Sequence, residues 1–144
     1  MKIQQLSVFL ENKPGHLLDP CRLLARARVD ILTLSLADTR EFGILRLIVS
    51  DSRRATDLLR AAGYVVKSTE VLAVEVPDGP GGLANVLEAF EGSAVNIEYM
   101  YAFPFAQGGM AVLIFRFDQP DAAIELLQQK GINVIENVEA YRSE

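Results

Sequence analysis

Apolar and polar residues follow two different spacings along this chain of 144 residues. Short segments rich in β-branched and apolar residues predict strands. Between them, apolar residues recur at spacings of three, four and seven, which places them on one face of a helix. The predicted strands are residues 3–10, 29–38, 43–50 and 64–71 in the first half, and residues 71–76, 95–104, 109–117 and 132–141 in the second.

Each half is predicted to contain two helices, one after its first strand and one after its third. The first helix of the first half carries Leu17, Leu24 and Ala27 on one face, and that of the second half carries Leu83, Leu87 and Phe90 on one face. The element order is therefore βαββαβ, twice. This order predicts an α+β fold of two ferredoxin-like units in tandem, each an antiparallel sheet with both helices on one face.

The two halves are also related in sequence. Residues 7–49 align without a gap on residues 73–115, and nine of these 43 positions are identical. Beyond them, a two-residue insertion in the second half aligns residues 57–66 with residues 125–134. Such an internal repeat indicates duplication. We therefore expect two domains, residues 1–70 and residues 71–144. The identical pairs are Val8/Val74, Pro14/Pro80, Gly15/Gly81, Leu17/Leu83, Val29/Val95, Ile31/Ile97, Gly43/Gly109, Leu47/Leu113 and Ile48/Ile114.

Pro20 interrupts this agreement, because it lies inside the first predicted helix where the second half has Val86. Proline in a helix interior removes a hydrogen bond and crowds the preceding turn. Asp19 and Pro20 would instead suit the N-cap and the first helical position. The first helix of the first half is therefore expected to begin late, or to have a distorted first turn.

The repeated loop after the first strand is the most informative motif. It reads N-K-P-G-H-L at residues 12–17 and D-G-P-G-G-L at residues 78–83. The second strand then opens with V-D-I at residues 29–31 and with V-N-I at residues 95–97. This pattern resembles that of the ACT domain, a family of small regulatory domains that bind amino acids. The resemblance covers almost the whole chain, which we therefore expect to be two ACT units with no catalytic domain attached.

Amino-acid binding by these loops is physically reasonable. Glycine lets the backbone approach a ligand closely, and the N–H groups at the start of the next helix can hold a carboxylate. A nearby Asn or Asp can meet an ammonium group. The alternative is that Pro-Gly is only a tight turn between strand and helix. The expected ligand-binding residues are Asn12, Lys13, Pro14, Gly15, His16, Leu17, Asp30, Ile31, Asp78, Gly79, Pro80, Gly81, Gly82, Leu83, Asn96 and Ile97.

The resemblance further implies that units pair and that a ligand lies where two units meet, with the loop of one facing the second strand of the other. The Asn12 loop would then face Asn96, and the Asp78 loop would face Asp30. Two carboxylates near a ligand carboxylate are unfavourable. We therefore expect the site with Asn12 and Asn96 to bind more tightly.

Composition narrows the possible partners. The net charge of −5 disfavours nucleic acid, and no apolar segment is long enough to cross a bilayer. A single cysteine, Cys21, excludes a disulfide within the chain, and neither metal-ligand spacing nor a catalytic motif is present. We expect a cytoplasmic protein that is not an enzyme and uses no cofactor. The expected partners are a free amino acid and a second copy in a homodimer through the apolar residues 100–105, with a metabolic enzyme as a further candidate.

Other functions stay open at this point. The chain could be a regulatory subunit that acts mainly through protein contacts, with a decayed ligand site. An acylphosphatase would need an arginine in the first loop to hold phosphate, and that loop offers only Lys13. A nucleic-acid binder of this fold would need a basic surface with exposed aromatic residues, and only the aromatic residues are present.

Overall fold

The computed structural model describes residues 1–38 and 40–139. The chain forms two compact units. The first unit is Gln4–Thr69, and the second unit is Met1–Ile3 together with the chain from Glu70 onward. Each is an α+β unit with an antiparallel sheet, so the predicted fold class is confirmed.

The first unit has the predicted order of elements, and its strands lie in the order β2-β3-β1-β4. Val8 of β1 lies opposite Leu45 of β3, and Leu47 of β3 lies opposite Leu34 of β2. The elements are β1 Ile3–Glu11, α1 Leu18–Arg26, β2 Ile31–Asp38, β3 Phe42–Val49, α2 Ser52–Ala61 and the start of β4 Val65–Pro77.

Alternating residues of the strands build the core of the first unit, because successive side chains of a strand point to opposite faces of the sheet. The buried cluster combines strand residues with helix residues spaced by four in α2. Its buried members are Leu6, Val8, Leu10, Leu24, Val29, Leu45, Leu47, Val49, Ala55, Leu59 and Val66.

The second unit repeats this plan around the later part of β4, which lies between β6 and β7, with β5 beyond β6. Phe115 and Phe117 of β6 stack in its core, with ring centroids 5.4 Å apart. Its further elements are α3 Gly82–Leu87, a short 3-10 helix Glu88–Phe90, β5 Ile97–Gln107, β6 Met110–Phe117, α4 Pro120–Gln129 and β7 Val134–Ile135.

The strand pairing corrects the position of the two-residue insertion in the second half. Ile31 lies opposite Val49, and Ile97 lies opposite Phe117, so the offset between the repeats is already 68 in the third strand. The extra residues therefore belong to the β5–β6 hairpin. As a result, three of the nine identical pairs consist of residues that are not structurally equivalent. These pairs are Gly43/Gly109, Leu47/Leu113 and Ile48/Ile114.

The last predicted strand, residues 132–141, is much shorter than expected. β7 comprises Val134–Ile135, and residues 140 and 141 lie outside the described part of the chain. Ile135 and Val138 are buried, with two exposed residues between them. A spacing of three fits a helical turn and not the alternation of a strand, which explains why the strand prediction was wrong here.

Pro20 has the predicted consequence. α1 begins at Leu18, whereas α3 begins at Gly82, which aligns with His16. The helix with the proline therefore begins two residues later in the repeat. Pro20 lies in the first turn of α1, where the missing N–H leaves no intrahelical hydrogen bond unmade. Asp19 is also in this turn and is not the N-cap.

Candidate functional site

The loop between β1 and α1 borders a cavity of about 410 Å³ within the first unit. The opposite wall is the turn between α2 and β4. The lining comprises Phe9, Leu10 and Glu11 at the end of β1, Lys13–His16 with Asp19, and Gly63–Val65. The volume falls within the roughly 300–1,000 Å³ that small-molecule sites occupy.

The Pro-Gly loop is a tight turn that places its backbone against the cavity. Gly15 has φ +81°, a left-handed conformation that glycine adopts without steric cost. The His16 N–H donates to the Lys13 carbonyl at 3.2 Å, and the Leu18 N–H donates to the Gly15 carbonyl at 3.2 Å. These bonds fix the loop as α1 begins.

A hydrogen bond joins the two walls of the cavity. The Tyr64 hydroxyl donates to the Asp19 carboxylate, which ties the turn before β4 to the first turn of α1. Burial first, and then this hydrogen bond, raise the pKa of Tyr64 to about 12. The hydroxyl therefore keeps its proton at neutral pH and remains a donor to Asp19.

Tyr64→Phe should reduce the alkaline loss of stability. In the unfolded chain the hydroxyl ionises near pH 10, and in the folded chain near pH 12. The stabilising contribution of Tyr64 is thus fully present below pH 10 and is lost as the pH rises from 10 to 12. Urea unfolding midpoints at pH 8 and pH 11 measure this, and the wild-type midpoint should fall more than that of Tyr64→Phe. Equal falls would show that Tyr64 does not titrate as described.

Charges of both signs line the cavity. Glu11 and Asp19 are acidic, Lys13 is basic, and the ring of the half-buried His16 lies near Gly43 of β3. Lys13 and Glu11 form an ion pair at 3.4 Å, with 66% and 73% of their side-chain surfaces exposed. Such exposed pairs contribute at most about 1 kcal/mol, so a ligand can compete for either group.

The second unit repeats the turn but not the cavity's side chains. Gly81 also has φ +81°. Where the first loop has His16, the second has the buried Gly82, and a Cβ on Gly82 would lie 1.9 Å from the Pro77 carbonyl oxygen. No side chain fits at this position unless the backbone moves.

Comparison with known proteins identifies the family. The family model of the ACT domain pair matches residues 1–142. The chain belongs to the ACT domain pair family. The expected resemblance is therefore confirmed, and the repeat consists of two ACT units. No curated protein sequence matches this chain.

Two solved structures illustrate the relationship. The protein BT0572 from Bacteroides thetaiotaomicron is 38% identical, with a TM-score of 0.87 over 94% of this chain and 92% of that one. The ligand-free regulatory subunit of aspartate kinase from Thermus thermophilus is 16% identical, with a TM-score of 0.63 over 88% of this chain and 91% of that one. At 16% identity, the second likeness concerns the fold.

The predicted site residues of the first ACT unit are found in three places. Lys13, Pro14, Gly15 and His16 line the cavity, whereas Asn12 is exposed beside it and Leu17 packs against the core. Asp30 and Ile31 lie at the other end of the sheet, because Ile31 is opposite Val49 whereas Glu11 is opposite Phe42.

The same separation is present in the second ACT unit. Pro77, just before the Asp78–Leu83 loop, is opposite Met110, and Ile97 is opposite Phe117 at the far end of β6. The N–H of Asn96 donates to the Asp118 carboxylate at 2.8 Å, and that of Asp30 donates to the Ser50 hydroxyl at 2.9 Å. A single unit thus does not bring its loop and its Asp30 or Asn96 position together. The pairing of each loop with the second strand of another unit stays a prediction.

Sequence reasoning missed Glu11, Asp19 and Tyr64 as cavity residues. Tyr64 is 45 residues from Asp19, and only the fold places the α2–β4 turn beside the loop. One available indication was the repeat itself, since the polar Tyr64 aligns with the apolar Ile132. A polar residue in one repeat that is apolar in the other is a reason to examine that position.

Over residues 1–38 and 40–139, no three His, Cys, Asp or Glu side chains are grouped so that they could hold a metal ion. In the same ranges no helix is both long and apolar enough to span a bilayer. Burial raises the pKa of the half-buried Cys21, which disfavours the reactive thiolate.

Proposed function

We propose that this ACT pair is a regulatory module that binds a free amino acid. The observation that carries the proposal is the cavity beside the Pro-Gly loop, with acidic and basic side chains on its walls. Membership of the ACT domain pair family supports a regulatory role. The module would report the presence of its ligand to a partner and would catalyse no reaction itself.

The cavity suits a zwitterion. An α-amino acid carries an ammonium and a carboxylate on neighbouring atoms, so its site needs an acceptor and a donor close together. Asp19 and Glu11 are acceptors, Lys13 is a donor, and Gly15 lets the backbone approach. Hydrogen bonds to charged groups are roughly twice as strong as neutral ones, which favours such a ligand over an uncharged one.

A second candidate is a regulatory subunit that acts mainly through protein contacts. Leu34 and Leu36 lie on β2, at the edge of the first unit's sheet, and are 49% and 41% exposed. Large exposed apolar residues on an edge strand favour a protein partner. The homodimer, the metabolic enzyme partner and the cytoplasmic location remain predictions.

Thermal unfolding in the presence of each of the twenty L-amino acids distinguishes the two candidates. A ligand at 100 times its dissociation constant stabilises the folded chain by about 2.7 kcal/mol. For a chain of this size we expect the melting temperature to rise by about 5–10 °C with at least one amino acid. No rise with any of the twenty would contradict amino-acid binding and favour the protein-contact candidate.

A further inference from the structure

The two ACT units differ at the polar positions of the cavity. Three of its side chains in the first unit are Lys13, Asp19 and Tyr64. The aligned residues of the second unit are, in the same order, Gly79, Asn85 and Ile132. The second unit therefore lacks the ammonium group of Lys13, the carboxylate of Asp19 and the Tyr64 hydroxyl that holds this carboxylate.

The second loop is also packed tightly against its own backbone at Gly82. Gly82 is packed so tightly against the Pro77 carbonyl that a Cβ would not fit, and the Gly79 N–H donates to this same carbonyl at 3.1 Å. Asn133 donates to the Glu75 carboxylate, and these two residues align with Val65 and Phe9 of the first cavity. α3 has only six residues, which makes it shorter than α1 with nine. The turn is thus repeated in the second unit without counterparts of the Lys13 ammonium group, the Asp19 carboxylate and the Tyr64 hydroxyl.

We infer that ligand binding is confined to the first ACT unit, whose cavity takes one free α-amino acid per chain. Asp19 accepts from the ammonium group, and Lys13 donates to the carboxylate. This inference rests on the proposed function and adds the site, the residues and the number of ligands. The second unit then serves a role other than binding this ligand.

The hydrogen bond from Tyr64 prepares Asp19 for this role. It engages one oxygen of the carboxylate, Oδ2, and a carboxylate can accept further hydrogen bonds at its other oxygen. Because the Tyr64 hydroxyl holds the side chain in place, less conformational freedom is lost when the ammonium binds. Among the described residues, Lys13 is held only by its exposed ion pair with Glu11, which an incoming carboxylate can replace.

Titration calorimetry of the full chain with each of the twenty L-amino acids tests the inference. We expect one ligand per chain for every amino acid that binds. Two ligands per chain would overturn the confinement to the first unit and leave the proposed function intact. No binding by any of the twenty would overturn the proposed function, and this inference with it.

A matched pair of substitutions locates the site. Asp19 and Asn85 are aligned in the repeat and both exposed on a first helix. Asp19→Ala should weaken binding at least 10-fold, whereas Asn85→Ala should bind as the wild type does. Lys13→Ala is the second first-unit variant, because Lys13 is exposed and its loss leaves the Tyr64–Asp19 bond in place. If Lys13→Ala and Asp19→Ala both bind normally, or if Asn85→Ala loses binding, the inference is wrong.

Discussion

Gly82→Ala should lower the free energy of unfolding by about 3 kcal/mol. A Cβ at Gly82 would lie 1.9 Å from the Pro77 carbonyl oxygen and 2.9 Å from the carbonyl carbon. Both are backbone atoms at the end of β4, which pairs with β6 at Pro77 and Met110, so they cannot move aside without disturbing the sheet. Overpacking of this kind costs 1–3 kcal/mol, and a backbone clash belongs at the upper end of that range.

Gly79→Ala, in the same loop, is the matched control for the Gly82 substitution. A Cβ at Gly79 meets no atom within 4 Å, and Gly79 is not among the residues with positive φ. The free energy of unfolding of Gly79→Ala should therefore differ from that of the wild type by no more than about 0.5 kcal/mol. Urea unfolding of the wild type and both variants gives the comparison. Similar midpoints for the two variants would contradict the close packing of the second loop.

A second large effect, on the affinity for amino acids, is expected when three residues of the first cavity are replaced by the aligned residues of the second unit. The triple variant Lys13→Gly, Asp19→Asn and Tyr64→Ile should bind amino acids at least 100-fold more weakly. It removes both charged contacts and the hydroxyl that positions Asp19, while the net charge of the chain is unchanged. Each charge-assisted hydrogen bond contributes roughly 1.5–3 kcal/mol, so the loss of two gives an effect of this size. Calorimetry measures it.

Leu18→Ala is the control for this exchange. It also copies a second-unit residue, Ala84, but Leu18 is 51% exposed and does not line the cavity. We expect its affinity to equal that of the wild type, and circular dichroism should confirm that both variants are folded. If the triple variant is folded and retains wild-type affinity, the cavity is not the ligand site.

Much of the fold could be predicted because the same order of strands, Pro-Gly loop and helices occurs twice in the sequence. Val8 and Val74 are buried strand residues, and each lies the same number of residues before the proline of its Pro-Gly loop. The predicted helices that follow share apolar positions, such as Leu17 and Leu83. The late start of α1 followed from the chemistry of Pro20. The last strand was harder, since residues 132–141 are apolar enough for a strand while their burial follows a helical spacing after Ile135.

The candidate site could be predicted only in part. The Pro-Gly motif identifies a turn, and Gly15 and Gly81 adopt the same φ in both copies. The motif does not reveal whether a cavity lies beside that turn. The cavity depends on Tyr64, which is distant in sequence, and the tight packing of the second loop depends on the contact of Gly82 with the Pro77 carbonyl. The position of Tyr64 is a tertiary contact that no local pattern encodes, and the contact at Gly82 depends on the detailed backbone conformation of the loop.

The most direct test of one amino acid per chain in the first ACT unit is a crystal structure. The chain would be crystallised with the L-amino acid that raises its melting temperature most. The predicted result is density for one amino acid beside Gly15, with its ammonium group on Asp19 and its carboxylate on Lys13. Density for the amino acid at the Gly81 loop, with the first cavity empty, would contradict this account.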